Sequence, residues 1–342
     1  RLNLTSIYTY LDDRFGRSSY RTGASFFLLS RTIGAAFRLY LVAGVLQLTI
    51  FDAWNVPFIV TVVATILFIW LYTYEGGIKT IIWTDTLQTL FMLLAVVLTV
   101  VIISNQLGFG FSEMISTIKN SDYSKIFFFE DVNHPKYFWK QFAAGASISL
   151  VMTGLDQDMM QKNLSCKNIG EAQKNMFSFS IVLVVVNLFF LALGALLYLF
   201  AAAKGIEIPT KADDLYPIIA TGGYLPIVVG ILFILGLIAA AYSSADSALA
   251  ALTTSACVDI LDIEKKPKNE QVSLRKMVHV VMSVLLIITI MIFHWIGNDS
   301  VIAQVFTFAG YTYGPLLGLY GFGMLTKLRV RDKLVPIICL AS

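Results

Sequence analysis

Charge is scarce in this chain: Asp, Glu, Lys and Arg make up 14% of 342 residues, and the formal net charge is +3. So small a surplus gives no basic field for a polyanion, which excludes nucleic-acid binding. Cysteine is scarcer still. Cys166, Cys257 and Cys339 lack metal-type spacing and lie in or beside apolar segments, which argues against a disulfide framework or a zinc site. His134, His279 and His294 are far apart, and none accompanies a ligand-spaced Cys, Glu or second His, so they read as loop or interface histidines. With no nucleophile–base pair and no metal cluster, the chain is not read as an enzyme. Hydrophobic residues make up 57% of the chain. They come in runs of about 18 or more, the length that crosses a hydrocarbon core as a helix. The expected fold is an all-α, polytopic membrane protein.

Apolar segments predict spans near 25–50, 56–73, 79–104, 140–161, 175–203, 223–257, 276–295 and 300–326, with another beginning near 334. That makes one transmembrane domain over 1–342, with eight complete spans and part of a ninth. The chain opens at Arg1 without an initiator Met and stops at Ser342 inside an apolar run, so truncation at both ends is expected. The loops with Arg14, Arg17 and Arg21, with Lys79, with Lys162, Lys167 and Lys174, with Lys265 to Lys276, and with Lys327 to Lys333 read as cytoplasmic. Two longer outer segments, about 108–140 and 204–214, are amphipathic enough to carry short surface helices. Gly154, Gly222–Gly223 and Gly314–Pro315 are expected places for unwinding or kinks.

The most informative stretch is GLIAAAYSSADSALAALTTSACVDI over 236–260. A carboxylate at membrane depth costs several kcal/mol, so Asp246 beside Ser243, Ser244 and Ser247 implies a use for it. On a helix these residues are read as one flank of hard oxygen ligands suited to a small cation. A second feature runs from Gly76-Gly77 through Trp83, Thr84 and Asp85 to Gln88, with Asp85 and Gln88 one turn apart. An acid there also suits a helix N-terminus. A third is Gly154-Leu155-Asp156-Gln157-Asp158, of which Asp156 is assigned to a transport pathway. A fourth, from Phe306 through Phe308, Tyr311 and Tyr313 to Pro315, can stack on a ligand or simply pack a kinked helix. Arg38, deeper than Arg31, could pair with Asp85 or Asp246, snorkel, or clamp a carboxylate.

Taken in order, these motifs resemble the sodium:solute symporter family. Tyr10-Leu11-Asp12-Asp13-Arg14-Phe15-Gly16 is similar to the loop before that family's third core helix. Gly76-Gly77 with Trp83-Thr84-Asp85 and Gln88 resembles core helix five, and Asp156-Gln157 with Gln161, Lys167 and Glu171-Ala172-Gln173 resembles the end of core helix six and its loop. Ala240, Ser243 and Ser244 match the sodium end of core helix eight, and Tyr311 to Gly318 match core helix ten.

The resemblance implies a LeuT-like core of ten helices in two inverted five-helix repeats, working by alternating access, with core helices one and two missing from this chain. It implies a secondary active symporter of the cell (inner or plasma) membrane that imports a small solute, with Na+ as coupling ion and the lipid bilayer as surroundings. Sodium would be held by the Ala240 carbonyl and the Ser243 and Ser244 hydroxyls. A second cation site would use Asp85 with Ser243 and Ser247, and here Asp246 stands where members with that site carry serine. The substrate pathway is assigned to Arg38, Gln88, Asp156, Gln157, Phe308, Tyr311 and Tyr313, with no metal but sodium. The alternative is a membrane-embedded sensor with a symporter-like domain and an output domain elsewhere.

Overall fold

The computed structural model describes residues 7–75, 78–155, 166–296 and 301–342, with the side chains of 71–85, Tyr242 and 301–303 outside the description. Every regular element among the described residues is a helix. A short α1 (Thr9–Arg14) leads into α2 (Arg17–Leu46), which ends in a π-helical turn over Gln47–Phe51. There follow α3 (Phe58–Glu75), α4 (Ile78–Gln106), α5 (Phe111–Asn120), α6 (Phe138–Gly154), α7 (Ile169–Lys204) and α8 (Leu215–Thr221). The chain closes with α9 (Ile227–Ser255), a second π turn over Ala256–Ile260, α10 (Lys268–Ile296), α11 (Val301–Leu325) and α12 (Val335–Ala341).

Five stretches among the described residues combine span length with strong apolarity: 17–54, 86–106, 169–204, 227–260 and 268–296. Phe58–Trp70 is a shorter apolar stretch, and α6 has 17 residues. A surface helix appears as α5 in the first long outer segment, whereas the second carries a 3-10 turn over Ala212–Asp214 and is followed by α8, which buries Leu215, Pro217, Ile219 and Ala220. Gly154 ends α6, and Gly223, at φ 84°, turns the chain between α8 and α9. The expectation of unwinding at Gly314–Pro315 is corrected, since α11 runs through Pro315 as one helix. Proline removes a single hydrogen bond, and the turns on either side retain theirs.

α2 is the central post. Ala35, Ala36, Leu39, Val42 and Ala43 on one of its sides join Val62, Ile66 and Ile69 of α3, Ala241, Ala245, Ala248 and Leu249 of α9, and Leu286 and Ile290 of α10 in the largest core. The small residues of α2 and α9 let the two backbones approach, the usual solution for helices in lipid. The most extensive helix pair is α4 with α9. Near one end Gln106 Nε2 donates to the Tyr224 carbonyl at 3.2 Å, and farther along a Cβ on Gly236 would lie 3.1 Å from the Met92 backbone nitrogen. Because higher α9 numbers meet lower α4 numbers, the two helices are antiparallel.

Three of the loops predicted to be cytoplasmic, around Arg14–Arg21, Asp262 and Asp332, converge at one end of α2. Asp332 places its carboxylate on the helix N-terminus, accepting from Ser18 N at 2.9 Å, Ser19 N at 2.7 Å and the Ser19 hydroxyl at 2.6 Å. This distant cap meets the orphan amides and the positive end of the dipole, and α2 begins at Arg17 rather than near 25 as the apolar run alone predicts. Gly16 is required beside it: its φ is 131°, and a Cβ would sit 2.8 Å from the Asp332 Oδ2. Arg14 in turn donates to the carbonyls of Gly323, Thr326 and Leu328 at the end of α11. Arg17 pairs with Asp262 and Asp12, and Tyr20 donates to the fully buried Asp259 at 2.7 Å.

Burial disfavours the ionised form of Asp332, but the Ser19 hydroxyl and the Ser18 and Ser19 amides outweigh it and hold the carboxyl below its ordinary 3.8. A depressed folded pKa means the cap's stabilisation is complete above about pH 4 to 5 and is lost as pH falls through the folded value. Asp332→Ala should therefore lower the thermal unfolding midpoint at neutral pH, with a loss of about 1 kcal/mol, and the gap to wild type should close in strong acid. A gap that stayed constant with pH would remove the carboxylate from this role.

Candidate functional site

Facing α2, α6 and α11, α9 borders a cavity of about 450 Å3. Ser30, Gly34 and Arg38 line it from α2, Met152 from α6, Ala240 and Ser244 from α9, and Phe308 and Tyr313 from α11. Five residues predicted from sequence thus meet in one space: Arg38, Ala240, Ser244, Phe308 and Tyr313. They do so because α9 and α11 both pack against α2.

Arg38 folds back along its own helix. Its Nε donates to the Gly34 carbonyl at 3.1 Å, and the guanidinium lies over Gly34, where a Cβ would be 3.8 Å from Nη2. One donor is spent locally, and the fork stays on the cavity side. Phe308 stands near Phe37, with ring centres 5.7 Å apart, and Phe37 stacks on Phe293 at 3.9 Å, giving that wall an aromatic backing. Ser30 and Thr312 tie α2 to α11 beside the cavity, the Thr312 hydroxyl lying 2.9 Å from that of Ser30. Sequence reading did not single out this pair. The signal available was a hydroxyl next to Arg31 in an apolar helix.

The serine–aspartate turn does not form a single flank, as the sequence reading had it. At about 100° per residue, Ser243 and Ser247 fall within about 20° of Gly236, whose face meets α4. Ser244 lies about 80° to one side, on the cavity, and Asp246 about 80° to the other. Asp246 and Ser247 are buried, at 2% and 6% exposure. From Met92 and Gly236, seven residues toward the cytoplasmic ends lead to position 85 of α4 and to Ser243 of α9, so these two backbones are level.

Gln88 is half-buried on α4 and does not line the cavity. Tyr311 is 74% exposed and borders a different groove, because two residues before Tyr313 is about 200° around the helix. Tyr311 therefore does not line this cavity. The Asp85 side chain, and Asp156 and Gln157 entirely, lie outside the described residues. No group of three His, Cys, Asp or Glu side chains suited to a metal occurs among the described residues, so any ion here would rest on hydroxyls, carbonyls and single carboxylates, a hard-oxygen set fit for an alkali cation.

The sequence matches the model of the sodium:solute symporter family over residues 1–327. It is 27% identical to the sodium/sialic acid symporter NanT of Aliivibrio fischeri, a match that covers 96% of this chain and 65% of that protein. It is also 27% identical to the human sodium/iodide cotransporter, over 95% of this chain and 50% of that one. Among solved structures, a Na+-coupled sialic acid symporter in a substrate-bound outward-open state superimposes with a TM-score of 0.76 at 23% identity, covering 95% of this chain and 67% of that one. This chain thus spans about two thirds or less of the length of these curated relatives.

Proposed function

The chain belongs to the sodium:solute symporter family, whose members are transporters rather than enzymes, and on that premise we propose a multi-pass symporter of the cell membrane that imports a small anionic solute with sodium. The observation that carries this reading is the single cavity shared by Arg38, Ala240 and Ser244. A fixed guanidinium suits a carboxylate or other anion, and the adjoining hydroxyl and carbonyl oxygens suit a sodium ion. Sialic acid and iodide, named for two relatives, differ in size and shape but share negative charge. That both relatives are transporters also favours this reading over a sensor.

Charge arithmetic gives the second cation site a purpose. A monovalent anion moving with one sodium carries no net charge and gains nothing from the membrane potential. A second sodium adds about 2.3 kcal/mol per 100 mV. Position 85, level with Ser243, and the buried Asp246 and Ser247 supply the oxygens such an ion would need. Two carboxylates there would bind a cation strongly, or one would hold a proton.

The test is uptake by the full-length protein against sialic acid, monocarboxylates, iodide, sugars and amino acids, with sodium varied. Anions should be taken up and neutral sugars should not. Ser243→Ala and Ser244→Ala should each raise the sodium concentration for half-maximal uptake about tenfold, since a lost ligand in a dry site leaves about 1.4 kcal/mol uncompensated. Asp85→Asn should lower the sodium-to-solute ratio from about two toward one, following the charge arithmetic above. If Asp246 carries a proton instead, Asp246→Asn should flatten the pH profile of uptake. Wild-type sodium dependence in both serine variants would sink the sodium assignment, and wild-type stoichiometry and pH profile in both asparagine variants would make the carboxylates structural.

A further inference from the structure

On its cytoplasmic side the lining of the cavity ends at Ser30, Met152, Ser244 and Tyr313. Below it the inner ends of α2, α6, α9 and α11 pack into a plug. Ala24, Phe27 and Leu316 are each at most 1% exposed, and Val151 and Ala251 join them. From Ser30 to Tyr20 the plug is about 15 Å deep along α2.

The segment before α2 closes this plug from below. Tyr8 and Leu11 are fully buried in it, and Leu11 keys into a notch at Gly23, where a Cβ would lie 2.6 Å from Leu11 Cδ1. The polar ties of the segment go to the cytoplasmic ends of the two helices that border the cavity with α2. The Tyr8 hydroxyl donates at 3.2 Å to the carbonyl of Leu155, the C-cap of α6. Arg14 donates to the Gly323 and Thr326 carbonyls at the end of α11, at 3.3 and 2.8 Å. Helix ends leave such carbonyls without intrahelical partners, and a cation there also meets the negative end of the dipole. Tyr320 of α11 donates in return to the Ile7 carbonyl at 3.0 Å, with Tyr10 stacked on its ring. The segment joins α2 through Gly16, whose φ of 131° suits glycine and gives the chain a pivot.

We propose that residues 7–16 form the inner gate of the symporter: a strap that clamps α6 and α11 to α2 beneath the cavity, and swings out about Gly16 before ion and solute can leave to the cytoplasm. The proposal rests on the symporter reading above, since a carrier that opens alternately to two sides needs a releasable seal. A few hydrogen bonds and one guanidinium on helix ends can be broken and remade as a unit, whereas the α2–α9 contact is interlocked along its length. Coupling fixes when the strap opens. A carrier that held sodium without solute and opened inward would leak sodium, so sodium alone should keep the strap shut and sodium-free protein should open.

Ala24→Cys places a thiol at a fully buried position of the plug with little change in volume. Full-length protein in inside-out vesicles is treated with a membrane-impermeant maleimide, and modification at position 24 is followed by peptide mass spectrometry. Modification should proceed in potassium buffer and slow at least about tenfold when sodium replaces potassium, a shift within reach of one bound ion's differential affinity. Adding Arg14→Gln should raise the rate in sodium about tenfold or more, the scale of a lost charge-assisted contact, and leave the rate in potassium nearly unchanged. A general loosening of the fold would raise both. Ala251→Cys, buried in the same plug on α9, repeats the measurement from a second helix should Ala24→Cys fail to fold. Absence of modification in both buffers at both positions would overturn the gate, as would equal rates in sodium and potassium or an unchanged sodium rate in Arg14→Gln. Because the labelling uses sodium alone, it stands apart from the uptake panel, where failure of the wild type to carry any solute would sink the symporter reading instead.

Discussion

Arg38→Gln should cut sodium-driven uptake of an anionic solute by about tenfold to a hundredfold, the range for losing a charge-assisted contact of about 1.5–3 kcal/mol. The basis is geometric: Arg38 lines the same cavity as Ala240 and Ser244, and its Nε is already committed to the Gly34 carbonyl. The guanidinium lies along Gly34 at the wall of that cavity, where a planar fork can meet an anion. Arg38→Lys keeps the charge and loses the planar fork. It should therefore recover only part of the uptake, mainly through a raised half-saturation concentration for solute. Sodium dependence should remain nearly wild-type in whatever activity survives, because Arg38 bears on the anion. Wild-type anion uptake by Arg38→Gln would disprove the anion assignment while leaving sodium coupling untouched.

Gly236→Val should abolish transport and destabilise the protein, although residue 236 touches neither ion nor solute. A Cβ at Gly236 would stand 3.1 Å from the Met92 nitrogen and 3.2 Å from its Cα, both backbone atoms with no rotamer to change. Alanine needs the helices to yield by a few tenths of an ångström, whereas valine needs a real separation of α4 from α9 and should lose about 1–3 kcal/mol by overpacking. The site suffers too, because the Gly236 contact sets the level of position 85 against Ser243. Graded loss from Gly through Ala to Val is expected, measured as thermal midpoint and as sodium affinity. Equal behaviour of Ala and Val would mean the close approach is not the constraint.

Much of this was legible in one dimension. Apolar run length predicts helices, and charge alternation assigns their ends to two sides, because the bilayer imposes both conditions on the local chain. The convergence of Arg14, Arg17, Asp262 and Asp332 at one end of α2 agrees with that assignment. Ser244 and Arg38 were visible because polar groups at membrane depth are conspicuous against 57% hydrophobic composition.

Rotation and register were not legible. Ser244 and Asp246 look like one cluster in sequence, yet a helix that turns about 100° per residue sends them about 160° apart, to opposite sides of Gly236. Only packing decides which neighbour each face meets. The sequence also could not show that Tyr311 and Tyr313 part company, or that α11 continues through Pro315. Nor could it join Asp332 to Ser18 and Ser19, more than three hundred residues away. Composition and periodicity by themselves determined that this is an all-helical membrane protein, because those properties follow from what each short segment can bury in lipid. The cavity, the α4–α9 register and the capped end of α2 were decided by tertiary structure alone, because each depends on contacts between segments whose separation in sequence carries no record of their distance in space.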